Sequence, residues 1–455
     1  MTLHDQAAAP SRPTEPIRHD NLLIDFTTEF HRIWDSAGSR AKPAAFWRPT
    51  PAPDLLPGYF PLGDVLVAGH DNINGSTVVA VVCEADTPSA DPARGPALQR
   101  PDDFVLIWKD TGSKSKRDGA IWRPIPPQGY VAMGSVCSND HEKPSLNAVR
   151  CVRADLVIAS DVGELIWNDR GSGAKQNVSV WSATPPAAPA GEIHLAPGSA
   201  LVCDSYSRPA DLPTYSLRIP IPMQIDPRPA TPTLSGQAPA REPAEASHCA
   251  RLPWFAIVDP VLSALEQLHA SPFYRVHRTD QYRLVGQGHN SQTQSKTFRW
   301  KAPRVQGDSG LSSFTSITSV EFGGQWQSGP GAPLMFCARL DEDFTHNASH
   351  SDEWYNPIAL DVIALAPKNR SVAVHLLQSD YRLRRADGSP VTDGFSYTDG
   401  NSLHISEYTP EEPQDLLTLA QESAAPIAAD SPESIEPVDV VLPEQEFPGT
   451  TDSAT

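Results

Sequence analysis

The chain is poor in long apolar segments. None of its 455 residues lies in a hydrophobic run that approaches the roughly 18 residues of a membrane-spanning helix, and the mean hydropathy is −0.35. The first residues, Met1 to Asp5, lack the basic start and the apolar core of a conventional signal peptide. We therefore expect a secreted or cytoplasmic protein whose association with membranes is peripheral.

Cysteine is scarce, and its spacing does not suit metal binding. There is no Cys-x-x-Cys pair, and no histidine lies at the spacing of a zinc finger. Most of the cysteines fall in strand-like runs, which favours buried free thiols, whereas one or two disulfides would imply export. The six positions are Cys83, Cys137, Cys151, Cys203, Cys249 and Cys337.

Catalytic motifs are missing as well. The sequence has no Gly-x-Ser-x-Gly elbow, no phosphate-binding loop and no dinucleotide fingerprint, since Gly286-Gln287-Gly288 lacks the third glycine. The best metal-like cluster, residues 346–353 with two histidines, lacks a third ligand at fixed spacing and is interpreted as a solvated loop. We expect no enzyme, no catalytic residue, no cofactor and no metal.

Positive charge is in deficit. The formal net charge is −19, and residues 410–455 contain 11 acidic side chains without a lysine or an arginine. An acidic protein binds nucleic acid poorly, so we expect no nucleic-acid partner. The same C-terminal segment is rich in proline and low in aromatic residues, which predicts disorder.

What the chain does contain is one unit repeated three times. The unit joins Ile-Trp, a polar stretch with Gly-Ser, and a second aromatic Trp after 13 or 14 positions. Recurrence at intervals of 74 and 59 residues is typical of repeat architectures and predicts three-fold pseudo-symmetry. The copies are Ile33–Pro49, Ile107–Pro124 and Ile166–Ser182.

Each copy is typical of a β-hairpin. Asp, Ser and Gly favour the turn, whereas the flanking β-branched and aromatic residues favour strands. We expect the two indoles of a hairpin to lie near each other across the strand pair, and all six tryptophans to form core layers rather than sugar-stacking surfaces. A three-sided β-prism fits three such hairpins best, with a closed barrel or a sandwich as alternatives.

The second and third copies resemble a known family. Ile-Trp-x-Asp-x-Gly-Ser, followed at 122–134 by Trp-Arg-Pro-Ile-Pro-Pro-x-Gly-Tyr-Val-Ala-Met-Gly, resembles the vacuolar protein sorting-associated protein 62 family over about residues 26–205. The first copy departs from the phrase at Ala37, and the third lacks Arg-Pro after Trp181. Members are similar to β-prism modules that touch membranes or sugars, and bacterial members occur in candidate secreted or insecticidal proteins. The resemblance implies a binding module.

Composition divides this mainly β chain into five segments. We predict a disordered N-terminus (1–20), a β-prism-like repeat domain (21–218), a Pro-rich linker (219–250), an antiparallel β-domain (251–409) and a disordered acidic tail (410–455). Only Pro260 to Leu268 is typical of a short helix.

In the second domain, serine and threonine alternate with apolar residues from Leu311 to Gly324. Such a strand resembles the inserting hairpins of aerolysin-like pore-forming toxins, which present an apolar face to lipid. A half-buried antiparallel strand with a hydroxyl face has the same pattern, and we favour this simpler interpretation.

The three hairpin loops carry cations although the protein is acidic. Lysine and arginine bind phosphate, and small residues beside them would let an anionic headgroup approach backbone N–H groups. Cations that only keep strand edges soluble are the alternative. The loop aspartates are interpreted chiefly as turn caps and secondly as ligand contacts. The candidate ligand-binding residues are Arg40, Lys42, Lys114, Lys116, Arg117, Arg170, Lys175, Asp35, Asp110 and Asp169.

These features predict a non-enzymatic protein that recognises membrane lipid headgroups or glycans. Its second domain would then act at the membrane as part of a secreted toxin or effector. The alternative is an adaptor module that binds a protein partner or forms oligomers without membrane activity.

Overall fold

The described part of the chain is built mainly from antiparallel strands. The computed structural model describes residues 15–87, 89, 91–232, 246–306, 334–341, 344 and 358–409, and the backbone of Glu321–Trp326. This architecture confirms the mainly β class. Of the described helices, none has the length and apolarity needed to cross a membrane. The 311–320 part of the Ser/Thr alternation, the metal-like loop at 346–353 and the tail at 410–455 lie outside the described residues.

The N-terminal region consists of three units with the same strand topology. The first unit has β1 (Ile17–His19), β2 (Leu22–Thr27), β3 (Phe30–Asp35), β4 (Ala44–Pro49), β5 (Phe60–Pro61), β6 (Val65–Ala68) and β7 (Val79–Glu84). The second has β8 (Leu98–Gln99), β9 (Asp103–Lys109), β10 (Ala120–Ile125), β11 (Tyr130–Val131), β12 (Val136–Ser138) and β13 (Cys151–Arg153). The third has β14 (Val157–Ala159), β15 (Asp161–Asn168), β16 (Ser179–Thr184), β17 (Glu192–Leu195), β18 (Leu201–Cys203) and β19 (Tyr215–Pro220).

Each unit forms two sheets rather than a single hairpin. The hairpin sheets are β3-β4-β6, β9-β10-β12 and β15-β16-β18, and the flanking sheets contain β2-β7-β5, β8-β13-β11 and β14-β19-β17. Strand β1 adds to the first flanking sheet, so residues 17–19 of the N-terminal segment that we expected to be disordered are ordered by pairing with β2. The three-unit organisation is present, and the prism outline stays a prediction.

The Ile-Trp pair of each copy encodes a β-bulge. In the second unit Trp108 lies opposite Ile121 and Leu106 lies opposite Trp122, so Ile107 is an extra residue without a partner. The register shifts at the same place in the first and third units. Because the bulge breaks the alternation of side chains, the isoleucine and the tryptophan that follows it both contribute to one central cluster.

The two indoles of a hairpin do not lie near each other, contrary to our expectation. Trp108 belongs to the central cluster, whereas Trp122 packs in a separate cluster on the other face of the same sheet. The reason is that Ile121, opposite Trp108, and its neighbour Trp122 point to opposite faces of strand β10. The core interpretation itself is confirmed, because all six tryptophans are buried.

A closed triangle of backbone hydrogen bonds marks the pseudo-three-fold axis. Asp64 N donates to Ser135 O, Ser135 N donates to Ala200 O, and Ala200 N donates to Asp64 O, each at 2.9 Å. The preceding residues, Gly63, Gly134 and Ser199, lie so close together that a Cβ on either glycine would overlap a neighbour. The three units therefore occupy matching places around one axis.

The C-terminal region adds one long sheet and two strand pairs. Its elements are β20 (Met223–Ile225), β21 (His248–Pro253), α1 (Ala264–Ala270), β22 (Phe273–Asn290), β23 (Lys296–Ala302), β24 (Val305–Gln306), β25 (Glu321–Trp326), β26 (Leu334–Arg339), β27 (Leu360–Ala366), β28 (Arg370–Arg385) and β29 (Phe395–Tyr408). The long sheet has the order β20-β21-β22-β28-β29-β24, and β23 pairs with β27. A capping box between Ser263 and Glu266 starts α1, at the place where the sequence predicts a helix.

The C-terminal region is continuous with the repeat region. Strand β26 pairs with β17, and one hydrophobic cluster includes residues of both regions, such as Phe26 and Trp254, whose ring centroids lie 5.3 Å apart. The interval predicted as a Pro-rich linker contains β20, which pairs with β21. Shared strands and a shared core therefore join segments that composition separated.

Candidate ligand-binding face

Three indoles form the centre of the candidate site. Trp34, Trp108 and Trp167, one from each unit, are almost fully buried in the central cluster. The ring centroid of Trp34 lies 5.5 Å from that of Trp108 and 6.1 Å from that of Trp167, both in edge-to-face geometry. This geometry is favourable for aromatic pairs and holds the three hairpin ends together.

The indole N–H groups connect the units in a ring. Each Nε1 donates to a carbonyl oxygen of another unit: Trp34 to Arg117 at 3.2 Å, Trp108 to Gln176 at 3.0 Å, and Trp167 to Lys42 at 2.8 Å. The three acceptors occupy equivalent positions in their loops. The units therefore repeat the same contacts as well as the same sequence phrase. The second indoles are less uniform, because Trp122 and Trp181 donate to serine hydroxyls while Trp47 Nε1 has no hydrogen-bond partner among the described residues.

The three turns that follow these tryptophans lie side by side. Lys116 N donates to Ala37 O at 2.8 Å, and Lys175 N donates to Thr111 O at 3.1 Å. Glycine is required where the turns touch: Gly112 has φ +93, and a Cβ there would lie 2.9 Å from the carbonyl oxygen of Gly173. The loops 36–43, 110–119 and 169–178 therefore form one continuous surface, here named the basic loop face.

The cations predicted from sequence are brought together on this face. All seven side chains are exposed, and among the described residues none of them forms a salt bridge. Asp118 is the exposed carboxylate of the same loops. Arg170 also stacks over the Tyr206 ring, with Cζ 4.8 Å from the centroid. The seven are Arg40, Lys42, Lys114, Lys116, Arg117, Arg170 and Lys175.

Comparison with known proteins identifies the region that carries this face. Residues 14–211 match the family model of vacuolar protein sorting-associated protein 62. The resemblance inferred from the Ile-Trp-x-Asp-x-Gly-Ser phrase is confirmed, and we refer to residues 14–211 as the Vps62 region. The comparison with curated proteins found no match for the chain.

Two solved structures are similar to parts of the chain. GNIP1Aa from Chromobacterium piscinae is 25% identical over 42% of this chain and 34% of its own, with a TM-score of 0.35. Cry35Ab1 is 11% identical over 72% of this chain and 94% of its own, with a TM-score of 0.32. The match thus spans about a third of the GNIP1Aa chain. At these TM-scores the likenesses say nothing about function.

The three candidate aspartates Asp35, Asp110 and Asp169 are buried rather than exposed on the face. Asp169 Oδ1 accepts a hydrogen bond from Val178 N at 3.0 Å, and its Oδ2 accepts from the Trp108 indole at 3.2 Å. Asp110 Oδ2 accepts from the Trp34 indole at 3.1 Å. These bonds agree with the interpretation as structural turn residues, and a role in ligand binding stays a prediction.

Asp35 is not the equivalent of the other two aspartates. Counting back from the shared glycines Gly38, Gly112 and Gly171 places Ser36 at the position of Asp110 and Asp169. Asp35 instead caps its own turn, since its Oδ1 accepts from Ala37 N at 3.1 Å. In the first copy the aspartate follows the tryptophan directly, whereas one residue separates them in the other two copies. Aligning the copies on their glycines would have revealed from the sequence that Asp35 is not the equivalent aspartate.

Sequence reasoning missed a polar residue beside each loop. His70, His141 and Tyr206 each follow the axis residue of their unit by six positions. His70 Nε2 lies 3.1 Å from Ser36 Oγ, and His141 Nε2 lies 2.8 Å from Asp110 Oδ1. With Asp118, the second unit has three potential cation ligands within 4.8 Å of one another. The three residues follow the last strand of their hairpin sheets, where the repeat phrase gave no signal.

The cysteines are free in the structure, as expected. Burial raises the pKa of the Cys151 thiol to about 12 and raises that of the Cys137 thiol well above its ordinary value. Such thiols are protonated at neutral pH and are therefore poor nucleophiles.

Proposed function

We propose that the basic loop face of the Vps62 region binds anionic lipid headgroups at a membrane surface. The observation that carries the proposal is the convergence of seven exposed cations, none in a salt bridge with a described residue, on three adjacent loops of a protein with net charge −19. Local positive charge against an acidic background is what steers a protein to orient one face toward a negative surface.

The arrangement matters because single cations bind weakly. Each lysine or arginine near an anionic leaflet contributes about 1 kcal/mol, and the effect is screened over a Debye length of about 8 Å in physiological salt. One loop with two or three cations therefore gives weak, reversible binding. Three loops on one face act together, so the pseudo-symmetry converts three weak contacts into one membrane contact.

Liposome flotation of the full chain tests the proposal. We expect binding to phosphatidylcholine vesicles that contain phosphatidylserine, little binding to phosphatidylcholine alone, and loss of binding as salt is raised. The variant Lys114→Glu, Lys116→Glu, Arg117→Glu should no longer float. A matched control reverses three exposed cations of the C-terminal region: Arg299→Glu, Lys301→Glu and Lys368→Glu. Equal flotation of the wild type and the loop variant would refute the proposal.

A second candidate function is perturbation of the membrane by the C-terminal region. It is favoured by the length of β22, β28 and β29, which have 18, 16 and 14 residues where strands average about 5–6. Release of a trapped dye from the vesicles that bind the protein tests this candidate. An adaptor that only binds protein partners releases no dye and does not float, and a glycan reader binds sugars independently of lipid charge.

A further inference from the structure

A cleft in the repeat region lies apart from the basic loop face. It has a volume of about 210 Å³ and is formed between the second and third units. Its walls are mostly apolar, with the rings of Tyr130 and Tyr215 and several prolines, and no aspartate or glutamate lines it. Arg123 provides the one charged side chain among its lining residues. Arg123 lies four residues beyond the loop that ends at Gly119, roughly 13 Å along strand β10.

The first unit shows how a carboxylate is held at the corresponding place. Nε and Nη2 of Arg48 donate to the two oxygens of Asp64, each at 2.9 Å. Cys137 N, on the edge strand β12, donates to Asp64 Oδ2 at 2.7 Å. A guanidinium fork and an outward backbone N–H together bind this fully buried carboxylate.

The second unit keeps this arrangement but lacks the carboxylate. Arg123 follows Trp122 as Arg48 follows Trp47, and Ser135 replaces Asp64 in the triangle of backbone bonds. Val202 lies opposite Val180 on edge strand β18, just as Cys137 lies opposite Ile121 on edge strand β12. The N–H of Val202 therefore occupies the position that corresponds to the N–H of Cys137. Arg123, Ser135 and Val202 all line the cleft.

Arg123 is the unpaired half of an internal pair. Its side chain is exposed, and no described carboxylate lies within salt-bridge distance of it. In the third unit both halves are replaced, because Ser182 and Ala200 occupy the equivalent positions. Only the second unit therefore combines the guanidinium with a free space where a carboxylate would lie.

We propose that this cleft binds a small organic carboxylate with an aromatic or other cyclic body. Its carboxylate lies between the Arg123 guanidinium and the Val202 N–H. This position corresponds to the one that the Asp64 side chain occupies in the first unit. The ring of the ligand packs against Tyr130 and Tyr215. The Tyr130 hydroxyl is engaged, since it donates to Pro96 O at 2.7 Å, so this side chain offers its ring rather than a polar group.

Binding of 4-fluorobenzoate to the full chain, followed by ¹⁹F NMR line broadening, tests the assignment. Ser135→Asp supplies an internal carboxylate to Arg123, as Asp64 does to Arg48, and should weaken binding roughly tenfold or more. Ser135→Ala is the control that leaves this space free, and it should bind like the wild type. Arg123→Gln should lose binding, and the neutral 4-fluorobenzamide should not bind.

Three outcomes would overturn the assignment. Absence of broadening with the wild type would rule out the site, and equal broadening in Ser135→Asp and Ser135→Ala would place the ligand elsewhere. Tighter binding of 4-fluorophenyl phosphate than of 4-fluorobenzoate would show that the cleft recognises a phosphate rather than a carboxylate. Because Ser135 lies outside the basic loop face, Ser135→Asp should leave liposome flotation unchanged, so this inference and the proposed function fail independently.

Discussion

The indole N–H of Trp34 donates to Oδ2 of Asp110 at 3.1 Å, although the two residues belong to different units and lie 76 positions apart. Trp108 and Asp169 form the same bond between the second and third units, at 3.2 Å. In the third-to-first contact Trp167 donates to the Lys42 carbonyl, and Ser36 stands where an aspartate would be. The aspartate of the repeat phrase therefore acts on the preceding unit, not only on its own turn.

The first prediction concerns Asp110. Replacing it with alanine removes a buried acceptor of the Trp34 indole and the partner of His141, so Asp110→Ala should lower the free energy of unfolding by about 1–3 kcal/mol. Urea denaturation followed by tryptophan fluorescence measures this loss. The exposed neighbour Asp118 is the control, and Asp118→Ala should change stability by less than about 0.5 kcal/mol. Equal losses in the two variants would contradict the assigned role.

The Arg48–Asp64 pair should behave as a unit. Asp64→Ala leaves the guanidinium of Arg48 largely buried without its carboxylate and should cost about 3–5 kcal/mol. Adding Arg48→Ser reproduces the Ser182 and Ala200 of the third unit and should recover part of that loss. A double-mutant cycle of unfolding free energies measures the coupling, and purely additive losses would show that the pair is not coupled.

Lys114 adopts a backbone conformation that suits glycine. Its φ is +62, and the equivalent residue of the third unit, Gly173, has φ +85. Lys114→Gly should therefore be neutral or stabilising by up to about 1 kcal/mol, whereas a β-branched Lys114→Val should be destabilising. Thermal and urea unfolding distinguish these outcomes. Since Lys114→Gly also removes one cation, it should weaken liposome binding without harming the fold.

Gly286 makes room for the strand pair of β23 and β27. A Cβ at Gly286 would overlap the indole of Trp300, and one at Gly288 would lie 2.6 Å from the Phe298 ring. These two rings stack on each other with centroids 5.8 Å apart. Gly286→Ala should destabilise the chain by about 1–3 kcal/mol through overpacking, while Thr297→Ala on the exposed face of β23 should have little effect. Comparable urea midpoints for both variants would show that the glycine is not needed for docking.

Stability should fall in mild acid. Burial lowers the pKa of His19, His277 and His375 below the ordinary value of about 6.5, so the unfolded chain takes up protons before the folded one. The free energy of unfolding should therefore be highest above pH 6.5 and decrease as the pH falls from there toward the lowered folded-state pKa values. Urea titrations at pH 8 and pH 5.5 test this. Replacing His19 and His375 by glutamine should flatten the pH dependence of the free energy of unfolding. An unchanged pH dependence would show that other groups cause it.

The sequence predicted the parts of the fold that depend on local chemistry. The Ile-Trp phrase, the turn residues and the Trp spacing were sufficient for three strand-turn-strand units, and the family resemblance followed from the same residues. The cations of the candidate face were also predicted, because charge density in a turn is a property of the sequence itself. Their exposure follows, since a lysine without a partner stays in water.

The prediction that the two indoles of a hairpin lie near each other was wrong because of the β-bulge. A regular hairpin places side chains strictly on alternate faces, and the extra residue at Ile107 shifts Trp108 relative to Trp122. Sequence spacing does not reveal which residue of a strand is left unpaired, because a bulge is decided by the packing of both faces. The separation of the indoles into a central and an outer cluster came from the structure alone.

By itself, then, the sequence determined the class of fold, the three-fold recurrence and the positions of the loop cations, because strand preference and turn chemistry act over a few neighbouring residues. The tertiary structure alone decided that Trp34 bonds to Asp110, that β26 extends a sheet of the repeat region, and that Arg123 faces a cleft without the carboxylate Arg48 has. These relations join residues far apart in the chain, and only the packing of the folded chain brings such residues next to each other.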